Sequence, residues 1–316
     1  MQFRTTLSLP KSSFYLSYEK PLLMLGSCFT KNIGTRLQSL HLPVLTNPFG
    51  IVYNPISMAK NITYLMTDGI FSEKDIFKEG DLWHSWQHHS RFSSPEKTEI
   101  LRGINDELSM ARNHFAKTKI LILTLGTANV FIEKKSNQIV NNCHKVPSHF
   151  FDKKRLSVDE VISNLKSVFE KTFIQNADCQ IVMTISPIRH LRDGLIENNR
   201  SKAVLLLACA ELSDLFPNVH YFPAYELVID DLRDYRFYAP DMMHPTDQAI
   251  DYIWQHFTDT FFTEKTKIIA EEVQKINLMK QHRPLHPNTE GYQQFVNNLE
   301  ERIYKLYLKY PFLNLK

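Results

Sequence analysis

Short apolar runs alternate with longer amphipathic segments along most of the chain, which predicts β-strands interleaved with α-helices. Residues 22–25 form a buried-strand run ending in Gly-Ser, followed by a helix over 30–40 and a second short strand at 43–45. Asn47-Pro48-Phe49-Gly50 is a loop by its turn residues, and a helix follows from Pro55. An amphipathic helix over 96–117 leads into residues 119–125, the clearest central strand, and segments 130–132 and 138–140 read as a hairpin. A helix over 158–172, a strand at 180–185, a helix over 200–215, a strand at 220–222 and a helix over 246–257 continue the alternation. Strands and helices in this order pack as a parallel sheet covered on both faces. The expected fold is therefore α/β, a three-layer α/β/α sandwich with a mainly parallel sheet. Residues 68–94 show no helical period and are expected to be an insertion of loops or short strands. Beyond residue 262 the pattern is helical and charged, broken by Pro284 and Pro287, so a main domain over 1–261 and a helical appendage over 262–316 are expected.

Composition narrows the class. The chain has 316 residues, 43% hydrophobic and 22% charged, values that exclude disordered and fibrous proteins. Its 37 basic and 34 acidic residues give a net charge of +3 without basic clusters, so nucleic acid is not an expected partner. No run of apolar residues is long enough to span a membrane, and the first ten residues lack a secretory pattern. Cys28, Cys143, Cys179 and Cys209 stand far apart without zinc-ligand spacing, so reduced thiols and a cytoplasmic location are expected. The oligomeric state is not legible.

In open α/β sheets a ligand sits outside the carboxyl ends of the strands. Four polar strand tips stand out: Gly26-Ser27, Gly126 to Asn129, Arg189-His190, and Asp241-x-x-His244 after the last strand. A serine hydroxyl becomes a nucleophile when a histidine accepts its proton and a carboxylate holds that histidine in the right tautomer. Ser27 has a competing reading as the N-cap of the next helix, and Asp241 and His244 as turn residues. Cys28, beside Ser27 at a helix start, is an alternative thiol nucleophile. His84, His88 and His89 invite a metal reading, but no acid or cysteine stands near them at ligand spacing, so no metal is expected. His190 and Arg189 are expected to face substrate, while Asn142 and His144 either touch ligand or fix loops.

Six short motifs occur in order: Leu25-Gly26-Ser27-Cys28-Phe29, Asn47-Pro48-Phe49-Gly50, Leu125-Gly126-Thr127-Ala128, Asn142-Cys143-His144-Lys145, Ser186-Pro187-Ile188-Arg189-His190, and Pro240-Asp241-Met242-Met243-His244-Pro245. Together they resemble the GSCFA-domain family, which is related to the SGNH, or GDSL-like, hydrolases, and His282-Arg283-Pro284 extends the resemblance into the tail. The resemblance implies an SGNH-like, flavodoxin-like catalytic domain that hydrolyses small-molecule or carbohydrate acyl esters without a cofactor. It implies Ser27 as nucleophile, His244 as base and Asp241 as its orienting acid. It further implies an oxyanion hole from the N–H groups of Ser27 and Gly50. SGNH hydrolases supply a third donor from an Asn two residues after a block glycine; here Ala128 holds that place and Asn129 follows. Two rivals remain: an acyltransferase with the same triad, and an inert binding protein on the same fold.

Overall fold

The computed structural model describes residues 4–313. Its centre is a five-stranded parallel sheet formed by β1 (Leu22–Gly26), β2 (Val44–Thr46), β5 (Ile120–Leu125), β9 (Gln180–Ile185) and β10 (Val219–Tyr221), in the order β10-β9-β5-β1-β2. Taken as the first to fifth core strands, these lie in the order 2-1-3-4-5, the flavodoxin-like doubly wound arrangement. The order of connection reverses between β1 and β5, the switch point at whose carboxyl ends folds of this kind bind their ligands.

Successive strand residues point to opposite faces, and the two faces bury different helices. Leu22, Met24, Ile120 and Ile122 share one core with α1 (Cys28–Ser39) and α7 (Asp247–Phe261), while Leu23, Leu25, Leu121 and Leu123 share the other with α2 (Pro55–Met66), α3 (Lys97–Phe115), α4 (Val158–Gln175) and α5 (Leu195–Leu215). A single turn, α6 (Ala224–Glu226), runs into a π turn over Leu227–Asp231. The helices beyond residue 262 are α8 (Glu264–Gln281) and α9 (Glu290–Lys309), separated around Pro284 and Pro287. Ile269, Val273, Ile276 and Leu306 bury into the α1–α7 core, so this helical region completes one face of the sandwich.

The segment 68–94 holds an antiparallel pair, β3 (Phe77–Glu79) with β4 (Leu82–His84), flanked by 3-10 turns. The expected hairpin is β6 (Asn129–Glu133) with β7 (Gln138–Val140), and a third strand, β8 (Phe151–Arg155), pairs with β6. β8 escapes the sequence pattern because only Phe151 is buried and four charged residues follow it. Among the described residues no helix is long and apolar enough to cross a membrane.

Candidate functional site

The site begins where β1 hands over to α1. Gly26 has φ +140°, and a Cβ there would lie 2.3 Å from the Thr124 carbonyl oxygen, so only glycine lets β1 end this close to β5. Its N–H donates to Asn47 Oδ1 at 2.8 Å, its carbonyl accepts from Val52 N–H at 3.2 Å, and Asn47 N–H donates to the Met24 carbonyl at 2.9 Å. These bonds dock the 47–52 loop against the tip of β1. Ser27 takes the N-cap position of α1 in extended conformation, yet its side chain makes no capping bond. Its Oγ is buried with no hydrogen-bond partner among the described residues. A buried hydroxyl without a partner is costly, and the capping role does not explain it.

Asp241 and His244 come together on the loop before α7. Met242 in the left-handed region (φ +56°) folds the loop so that Asp241 Oδ1 accepts the N–H groups of Met243 and His244, each at 2.9 Å, while Oδ2 pairs with His244 Nδ1 at 2.6 Å. The His244 N–H, then the Met243 N–H and the ring contact hold the carboxyl down at about 2. Nδ1 fixed in this way leaves Nε2 as the working nitrogen. Nε2 lies 4.0 Å from Cys28 Sγ, at the N-terminus of α1. The loop thus brings the acid, the base and the start of α1 together, but the ring's contact is with Cys28, one residue beyond Ser27. Burial pushes the Cys28 thiol up, partly offset by its own backbone N–H and by Lys31.

The remaining sequence-expected residues are mostly engaged elsewhere. Gly50 (φ +82°) is pressed against His89, where a Cβ would sit 2.1 Å from the His89 Cβ, and its N–H donates to the Asn47 carbonyl at 2.8 Å. Asn129 Nδ2 donates to Asp193 Oδ2 at 2.9 Å, and Asp193 also pairs with Lys153. The Gly50 N–H is thus taken up by its own turn, and one of the two Asn129 amide hydrogens by Asp193. Asn142 and His144 fix loops: Asn142 Oδ1 accepts from His144 N–H at 2.9 Å, His144 Nε2 bonds the Ser85 carbonyl at 2.8 Å, and Nδ1 approaches Ser90 Oγ at 3.2 Å. Burial holds His144 down at about 4, so it stays neutral. His84 and His88 bond Ser93 and Ser85 within their own segment, and among the described residues no three metal-binding side chains converge.

Arg189 donates to Tyr238 Oη at 3.2 Å. The His190 ring packs edge-on to Tyr53 at 5.8 Å and hydrogen-bonds the Gly126 backbone, while its N–H donates to Asn198 Oδ1 at 3.0 Å. Burial, with the charge of Lys202 next, holds His190 down at about 4.

Lys202 is the residue the sequence reading missed. It is 1% exposed, and its Nζ donates to the carbonyls of Gly126 at 2.5 Å and Ser186 at 2.6 Å, tying together the tips of β5 and β9. Burial, then Arg189, brings its ammonium down to about 7. The signal lay in helical spacing: Lys202 occupies the buried stripe 198, 201, 202, 205, 208, 209, 212 of α5, where an apolar residue belongs. Its neighbour Ser201 accepts from Ala128 N–H at 2.7 Å and anchors the following loop. Beside Cys28, Phe29, Ile33, Pro187, Ile188 and Ile253 enclose a small apolar pocket of about 20 Å³.

Comparison with known proteins finds no match among curated proteins. Among solved structures, an acetyl xylan esterase from the rumen bacterium Butyrivibrio proteoclasticus is similar with a TM-score of 0.39 and 10% identity. That match takes in 77% of this chain and 63% of the esterase, less than two thirds of its length. A model of the GSCFA domain protein, C-terminal domain, matches residues 273–316. The GSCFA family model matches residues 21–257, well over half of the sequence, and the chain belongs to the GSCFA family.

Proposed function

We propose that the protein is a serine-dependent hydrolase of acyl esters in which Ser27 is the nucleophile, His244 the base and Asp241 the acid that orients it. The observation that carries this reading is the Asp241–His244 pair, whose Nε2 faces the N-terminus of α1 beside a buried Ser27 hydroxyl with no structural partner. His244 takes the Ser27 proton as Oγ bonds to the ester carbonyl carbon, then gives it to the departing alcohol, and water repeats the sequence to release the acid. Attack requires Nε2, now 4.0 Å from Cys28 Sγ, to reach the neighbouring Ser27 hydroxyl while Nδ1 keeps its bond to Asp241. The oxyanion rests on the Ser27 N–H and the unpaired N–H groups of the first turn of α1, where the helix dipole adds positive potential. The Gly50 N–H, engaged with Asn47, joins only if that turn opens.

A second reading rests on the 4.0 Å approach of Cys28 Sγ to His244 Nε2, which favours a thiol nucleophile. Turnover of p-nitrophenyl acetate separates the two. Ser27→Ala and His244→Ala are expected to abolish it and Cys28→Ala to retain it. Loss in Cys28→Ala with activity kept in Ser27→Ala transfers the role to the thiol.

A further inference from the structure

A cavity of about 900 Å³ lies away from Ser27, between α2 and α4, under the 68–94 insertion and the β6–β7 hairpin. That volume holds a ligand of about two or three rings. Four lysines border it, Lys60, Lys74, Lys135 and Lys171. Its two carboxylates are already engaged locally: Asp75 accepts from Ser72 N–H at 2.7 Å and Ser72 Oγ at 2.9 Å, and Glu133 accepts from the N–H groups of Lys135 at 2.9 Å and Ser136 at 2.7 Å. Among the described residues none of the four ammonium groups has a carboxylate partner within 4.0 Å. Lys60 is the telling one, because its ammonium is half-buried, its hydrogen bond goes to the Ile139 carbonyl at 3.1 Å, and burial lowers its pKa. A partly desolvated cation facing a cavity is stabilised by an anion entering it.

The rest of the lining is aromatic and hydroxylated. Trp86, stacked on Phe77 at 3.7 Å, lines the cavity together with Gln87. Hydroxyl and amide groups of Thr63, Ser167 and Asn164 complete the walls. An indole packs on the C–H face of a pyranose, and such polar side chains match its hydroxyls. We infer that this cavity is a second ligand site, separate from the proposed triad, for a sugar carrying a carboxylate or phosphate.

Calorimetric titration of the full chain with trigalacturonate and with glucose 6-phosphate tests this, with neutral maltotriose as control. At least one acidic sugar is expected to bind at submillimolar concentration, at least tenfold tighter than maltotriose and more weakly at high salt; which one binds identifies the source of the anion. Lys60→Met and the surface variant Lys171→Met are each expected to weaken binding at least fivefold without changing p-nitrophenyl acetate turnover. Trp86→Phe is expected to remove any fluorescence change on binding. Equal affinity for maltotriose, unchanged affinity in both lysine variants, or no binding of either acidic sugar at millimolar concentration overturns the inference and leaves the triad reading untouched.

Discussion

At the scale of single residues, Asp241 separates a catalytic loop from a merely structural one. Oδ1 accepts both main-chain N–H groups and Oδ2 meets the imidazole, so asparagine can keep both main-chain bonds through Oδ1 but presents an NH2 donor to Nδ1. Asp241→Asn is expected to cut turnover by about four orders of magnitude while leaving the melting temperature nearly unchanged. Near-normal turnover in that variant on an ester that Ser27→Ala fails to cleave assigns the orientation of His244 to another acid. That Asp241, His244 and the Ser27–Cys28 tip of β1 approach one another was legible in the sequence because their motifs stand at strand ends in a fixed order. The present partners of Gly50 and Asn129 were not. Whether the N–H of Gly50 is free depends on the turn it closes onto Asn47, and whether Asn129 points inward depends on Asp193, 64 residues later. Lys202 was hidden for the opposite reason, since a lysine in a helix is read by default as solvent-facing.

At the scale of elements, Lys202 joins two strands by one buried ammonium. An unfolded lysine keeps its proton until about pH 10.4, whereas in the fold Lys202 gives it up at about 7. Between these values the unfolded chain binds more protons, so stability rises with pH, by up to about 1.4 kcal/mol per unit. Lys202→Met is expected to flatten this rise in urea unfolding between pH 7 and 9.5. The variant is also expected to lower turnover, because the Gly126 and Ser186 carbonyls lose the donor that holds the strand tips in register. A second element test concerns α7, which positions the Asp241–His244 loop. Phe257 is fully buried and meets Phe222 at 5.5 Å and Phe261 at 5.0 Å. Phe257→Ala is expected to cost about 3–5 kcal/mol, visible as a large fall in the urea midpoint. The core strands and most helices fell within a few residues of their sequence expectations, because apolar runs and amphipathic periods are local signals. β8 and the start of α5 were missed, since charged and polar residues there, Asp152 to Arg155 and Glu197 to Asn199, carry no apolar period.

At the scale of the whole molecule, the doubly wound order places the proposed nucleophile where β1 and β5 part. Several loops are held by buried neutral histidines: burial lowers His88 to about 3, and His144 and His190 to about 4. Unfolded histidine binds a proton below about 6.5 while these three refuse it until about 4 or, for His88, about 3. The unfolded chain therefore binds more protons in that window, and acidification from pH 6.5 to 4 lowers stability, by up to about 1.4 kcal/mol per unit for each. Urea midpoints at pH 7, 5.5 and 4.5 are expected to fall steeply, with a shallower fall in His144→Gln. The architecture was legible as alternating strands and helices, whereas the packing of α8 and α9 onto the α1 face was not, because a charged helix gives no sign of which surface it will cover. The central claim is that Ser27 is a nucleophile activated by His244 and Asp241. Reaction of the intact protein with a fluorophosphonate, followed by mass spectrometry of the labelled peptide, tests it most directly. The account predicts one adduct on Ser27, absent in Ser27→Ala and His244→Ala and retained in Cys28→Ala; an adduct on Cys28 alone, or no adduct on the folded protein, contradicts it.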